Sequence, residues 1–128
     1  MPIAAFVAPK SLMQTLTHDP VLGHITTFGG HPVSCAASLA TIEVIECLNI
    51  EERVPKLEAI IRTRLVHPLI KSISGKGLLL AIDLGDEQTT QKVIANCLQN
   101  GVITDWFLFA AHKLRLAPPL TITETELQ

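Results

Sequence analysis

Hydrophobic positions along the chain fall into helical and strand-like stretches with clear breaks between them. Residues 32–48 place Val33, Ala36, Ala37, Leu39, Ala40, Ile42, Val44, Ile45 and Leu48 nearly all the way round a helical wheel. A helix apolar on all sides is normally buried on most of them. Ser34, Ser38 and Thr41 form one narrow stripe of small polar residues on it, suited to close contact with another element. Asn49 and Glu52 have capping-box spacing and predict a second helix over residues 50–67. Pro55 falls near its second turn, where it bends the helix or shifts its start. A third helix is expected over residues 87–99, with Val93, Ile94, Cys97 and Leu98 apolar and Asn100-Gly101 as its stop. Residues 11–16 suit a short helical turn.

Other segments read as strands. Residues 2–7 are short and apolar, and Ala8-Pro9-Lys10 breaks them. Ser74-Gly75-Lys76-Gly77 predicts a turn leading into Leu78-Leu79-Leu80-Ala81-Ile82, an apolar run like a buried strand. Residues 102–106 and 113–117 are two further strands. In the last, Leu114 and Leu116 share one face, and Lys113, Arg115 and Ala117 share the other. Thr123-Glu124-Thr125-Glu126 is another capping-box pattern, but the chain stops two residues later. Together with an N-terminus that begins inside an apolar segment, this leads us to expect a fragment of a longer protein.

Composition narrows the possibilities. The chain has 128 residues, 48% of them hydrophobic and only 17% charged. That is greasy for one domain, so either the core is large or apolar surface is hidden against something outside this chain. The net charge is −2 and no basic cluster occurs, which argues against nucleic-acid binding. Cys35, Cys47 and Cys97 are odd in number and widely spaced, as expected of buried reduced thiols in a cytosolic protein. The five histidines are scattered and suggest no metal site. No signal peptide is visible, and cytoplasmic localisation is expected. The uncharged run over residues 20–42 is long enough to span a bilayer, but its Gly-Gly, His-Pro and hydroxyl residues favour a buried helix in a soluble protein.

Candidate chemistry concentrates in His24-Ile25-Thr26-Thr27-Phe28-Gly29-Gly30-His31-Pro32. The Gly pair permits positive φ or close backbone approach, and Pro32 suits a first helical position. Two hydroxyls ahead of a helix start could face an anion. Alone, Thr27 is equally a capping or turn hydroxyl, and Arg115 a surface arginine in a weak ion pair. Gly75 and Gly77 read as turn glycines, and His24, His31, Trp106, Phe107 and Phe109 as structural residues.

Three segments taken in order resemble the class III pyridoxal-phosphate-dependent aminotransferases, which include the ornithine and acetylornithine enzymes. They are Thr26-Thr27-Phe28-Gly29-Gly30-His31-Pro32, then Gly75-Lys76-Gly77-Leu78, then Leu114-Arg115-Leu116-Ala117-Pro118-Pro119-Leu120 with Thr121-Ile122-Thr123-Glu124. Their order and spacing are similar to the family's C-terminal third and cover nearly the whole chain. The resemblance implies an α/β fold of type I, in which an α+β small domain packs helices on a mostly antiparallel sheet. Residues 1–30 would end the large cofactor domain, and residues 31–128 would form the small domain without its final helix. It implies that Thr27 bonds the cofactor phosphate in a neighbouring subunit's site, and that Arg115 grips a substrate carboxylate. A guanidinium fork pairs bidentately with a carboxylate as lysine cannot.

The same resemblance places the catalytic lysine, and the aspartate that pairs with the pyridinium nitrogen, upstream of this chain; Lys10 does not match that lysine. No catalytic residue is therefore expected here, and the chain alone is expected to be inactive. His31 stands where the family more often has Asn, and Thr26 where Ser is frequent. The implied function is transfer of an amino group between an amine or amino acid and a 2-oxo acid by a homodimer using pyridoxal 5'-phosphate. Its partners would be small amino and keto acids, with neither nucleic acid nor membrane. An aminomutase of the same family and a non-catalytic interaction module remain alternatives.

Overall fold

The computed structural model describes residues 2–127 and falls into two units, divided between Leu48 and Asn49. In the N-terminal unit a short helix α1 (Lys10–Met13) continues as a 3-10 turn (Gln14–Leu16), and helix α2 spans Pro32–Cys47. Both match the sequence pattern. The strand expected over residues 2–7 does not form. An isolated strand leaves its backbone groups unpaired, and the unit offers it no second strand among the described residues.

The expected burial of α2 is not met either. Ser34 is its one buried residue, whereas Val33, Leu39, Ile42 and Val44 are exposed. Among its described residues the unit holds no sheet on which such a helix could bury its apolar surface. Cys35 and Cys47 are likewise exposed, not buried. Among the described residues no single helix is long and apolar enough to cross a membrane.

The C-terminal unit contains α3 (Ile50–Arg64), β1 (Ser72–Lys76), β2 (Leu79–Asp83), α4 (Glu87–Gln99), β3 (Asp105–Phe107) and β4 (Ala110–Leu116). Its four strands form one sheet in the order β1-β2-β4-β3, with every neighbouring pair antiparallel. On β2, Leu80 and Ile82 are buried while Leu79 on the opposite face is exposed. Alternation along a strand sends successive side chains to opposite faces, so a single face takes the helices. Val54, Leu57 and Ile61 of α3 pack against Leu78 and Leu80. Val93 and Ile94 of α4 pack with Ile82, Leu84 and Leu114. Leu65, Ile73 and Leu116 touch both clusters, making one continuous core beneath two helices.

Local chemistry fixes these elements, not always as expected. Asn49 does not close a capping box. Its backbone is left-handed (φ 48°, ψ 46°) and its side chain caps nothing, while its carbonyl accepts the amides of Glu52 and Arg53, each at 3.1 Å. A capping side chain requires extended backbone at that residue. The helix runs through Pro55 and ends at Arg64, three residues short of the expected 67. By contrast, Asp86 caps α4 by accepting the Thr89 amide and hydroxyl, each at 2.8 Å, and these two bonds hold its carboxyl below the usual range. Thr123 and Glu126 close the second expected box reciprocally. The Thr123 amide donates to Glu126 Oε2 at 2.8 Å, and the Glu126 amide to Thr123 Oγ1 at 3.2 Å.

The predicted turn at residues 74–77 is instead mostly strand. β1 continues through Lys76, which pairs with Leu79, so the reversal needs only Gly77 and Leu78. Gly75 (φ +108°) has no room for a Cβ, which would collide with the Leu79 carbonyl oxygen. A clamp from α3 secures this hairpin. Glu58 accepts from Arg62 Nε at 2.8 Å and from the Gly77 amide at 2.6 Å. Arg62 also donates to the carbonyls of Ile73 at 3.0 Å and Gly75 at 2.9 Å. The Arg62 bond, followed by that from Gly77, lowers the Glu58 pKa.

Candidate functional site

Residues 26–32 fold as consecutive turns ahead of α2. The Gly29 amide donates to the Thr26 carbonyl at 3.3 Å, and the His31 amide to the Phe28 carbonyl at 3.2 Å. Gly30 is left-handed (φ +73°), which a side chain would oppose. At Gly29 a Cβ would meet the Thr26 hydroxyl, which would have to rotate away to admit it. Pro32 opens the helix, and the Cys35 amide bonds the His31 carbonyl at 2.9 Å. His31 provides no side-chain cap, leaving first-turn amides without an intrahelical partner.

Thr26, Thr27, Phe28 and Gly29 form one wall of an open depression of about 480 Å³, with Pro2, Ile3 and Ala4 along the other. Thr27 is exposed, and its hydroxyl makes no hydrogen bond among the described residues. A free hydroxyl beside glycine backbone suits an anionic group such as a phosphate.

Arg115 belongs to the C-terminal unit. It sits on β4 between Leu114 and Leu116, which pack into the core, so alternation turns its guanidinium to the face away from the helices. The sequence pattern anticipated this orientation. Its Nη2 donates to Asp105 Oδ2 at 3.2 Å, and both side chains are nearly half exposed, at 45% and 48%. They line a cleft of about 310 Å³ with Ile103, Thr104 and Ala117.

Nothing in the sequence pattern singles out Asp105. The strand there was expected over residues 102–106, whereas β3 spans Asp105–Phe107 and pairs Asp105 directly with Arg115. Turn-bearing Leu108-Phe109 lets β4 begin at Ala110, earlier than the expected residue 113. The alternation around Arg115 was readable, but the partner across the ladder depends on register, which one strand's pattern does not reveal. Thr27 and Arg115 thus lie in different units, each with its own local cleft.

Comparison with known proteins gives this geometry a family. The sequence model for class-III aminotransferases matches residues 1–128. The acetylornithine aminotransferase of Haemophilus ducreyi is 36% identical over 128 residues, all of this chain but only 31% of that protein. In a structure of Toxoplasma gondii ornithine aminotransferase with partial pyridoxal phosphate occupancy, the TM-score is 0.75 at 29% identity, over 91% of this chain and 28% of that one. The acetylornithine aminotransferase of Elizabethkingia anophelis gives 0.67 at 33% identity, over 81% and 29%. The chain therefore spans less than a third of the length of these relatives. Over that span its helices, its antiparallel sheet and its sequence agree: the chain belongs to the class-III aminotransferase family.

Proposed function

We propose that this chain acts as the C-terminal portion of an ornithine- or acetylornithine-like aminotransferase, a cytoplasmic homodimer that moves an amino group from an amine or amino acid to a 2-oxo acid. Residues 1–30 would complete the large cofactor domain, and residues 31–128 the small domain. One observation supports this reading above the others: the family match runs the whole length of the chain, through both the Thr27 turn and the Arg115 strand.

Pyridoxal phosphate, when bound, supplies the electron sink for amino transfer. The residues present fit its phosphate, since the free Thr27 hydroxyl offers a neutral donor in an open depression lined by Gly29 backbone. Thr27 would donate to that phosphate in the partner subunit's site. Arg115 would hold the substrate carboxylate by a charge-assisted bond and thereby fix the distance between that carboxylate and the reacting amine. Neither residue moves a proton in the reaction. That work belongs to a lysine that we place upstream, so this chain alone would not transaminate.

A single substitution tests the phosphate role. In the assembled holoenzyme, Thr27→Ala should raise the dissociation constant of pyridoxal phosphate about 10- to 100-fold, as expected for a lost bond to a charged group worth ~1.5–3 kcal/mol. Thr27→Ser keeps the hydroxyl and should restore most of the affinity. A change below twofold in the alanine variant would count against the assignment.

A further inference from the structure

Asp105 and Arg115 face each other across the β3–β4 ladder on the open side of the sheet. The carboxylate is anchored from behind, since the Trp106 amide donates to Asp105 Oδ1 at 2.8 Å. Its other oxygen is thereby turned toward Arg115, which it meets through Nη2 alone at 3.2 Å. The backbone of Arg115 is fixed as well, because Thr104 Oγ1 donates to its carbonyl at 2.6 Å. A guanidinium presents two edges on which a carboxylate can sit bidentately, and Nη2 belongs to both. One contact to Nη2 uses one of its hydrogens and so engages one edge. The other edge, with Nη1 or Nε, makes no hydrogen bond among the described residues, and Arg115 lines the cleft.

We propose that Asp105 is the resting counter-ion of Arg115 and sets how strongly this site takes a carboxylate. The inference rests on the reading that Arg115 receives the substrate carboxylate. An incoming carboxylate seats on the free edge of the fork, beside a charge of its own sign that the Trp106 amide holds in place. Asp105 therefore has two effects. It orients the guanidinium before substrate arrives, and it weakens carboxylate binding by like-charge repulsion, which acts over such distances even at a partly exposed site. Asp105 is a positioning and tuning residue, not a catalytic one. The site it produces favours ligands with a single carboxylate that release readily over those crowding more negative charge onto Arg115.

The test uses the assembled holoenzyme and equilibrium titration with propanoate, with propanamide as the uncharged control. Asp105→Asn keeps an acceptor for the Trp106 amide but removes the charge. It should tighten propanoate binding three- to tenfold, leave propanamide unaffected, and lower KM for a carboxylate substrate by a similar factor. Asp105→Glu restores the charge and should return propanoate affinity toward the parent value. Arg115→Lys serves as the separate arm. If it weakens propanoate binding while Asp105→Asn leaves it unchanged or weaker, the counter-ion role is wrong and the carboxylate role of Arg115 stands. If Arg115→Lys changes nothing, both fall. A purely structural Asp105 would lower the melting temperature of the asparagine variant without altering the propanoate-to-propanamide ratio.

Discussion

Arg115→Lys in the assembled enzyme is expected to raise KM for a carboxylate substrate by about 10- to 100-fold, with little change in fold stability. The magnitude follows from hydrogen bonds to charged groups, worth ~1.5–3 kcal/mol, at about 1.4 kcal/mol per factor of ten. Lysine keeps the positive charge but is a point donor, so it loses the planar fork that fixes a carboxylate in one orientation. Stability should barely move. The Arg115 side chain is half exposed, its ion pair with Asp105 spans 3.2 Å at the surface, and such pairs contribute about 0–1 kcal/mol. Steady-state kinetics alongside urea unfolding separates the two quantities. A KM within threefold of the parent would remove Arg115 from the substrate site.

Leu80→Ala is expected to destabilise the C-terminal unit by about 2–5 kcal/mol, the usual range for a buried leucine. Leu80 is completely buried in β2, opposite Leu116 across the ladder and packed with Leu57 and Ile61 of α3. Its loss leaves a hole between a strand paired on both sides and a helix tied to the β1–β2 hairpin by Glu58 and Arg62, so little collapse can fill it. Natural domains hold only about 5–15 kcal/mol in total, so this one change removes a large share. Leu79→Ala is the control. Leu79 is exposed on the other face, where truncation should cost no more than about 0.5 kcal/mol. Equal effects from the two would contradict the assignment of a single buried face.

Both results turn on period-two alternation, the pattern the sequence carried most clearly. Leu114 and Leu116 inward with Arg115 outward could be read from three consecutive residues, and the α4 span 87–99 from its apolar positions and the Asn100-Gly101 stop. What escaped was set by contacts distant in sequence. Ser74-Gly75-Lys76 carries turn residues, yet the Leu79 backbone and the Glu58–Arg62 clamp draw it into a strand. Asn49 sits at capping-box spacing, but its backbone is left-handed, a conformation asparagine tolerates, and its side chain caps nothing. The exposed apolar surface of α2 has a related origin. Its residues describe a helix that needs covering, and the described residues of the N-terminal unit include no sheet to do it. Asp105 illustrates the same limit within the candidate site, since its role beside Arg115 follows only from the register of β3 on β4.

The proposed division of labour, with a phosphate-binding Thr27 and a carboxylate-binding Arg115 here and the reactive lysine upstream, is tested most directly by chemical trapping. Pyridoxal phosphate is added to this chain alone, the mixture is reduced with borohydride, and tryptic peptides are mapped by mass spectrometry. The expected result is sparse labelling scattered over the surface lysines, with none approaching one equivalent. Stoichiometric labelling of one specific lysine, Lys10 above all because it lies nearest the Thr27 turn in sequence, would show that the chain carries its own reactive amine and would contradict the proposal.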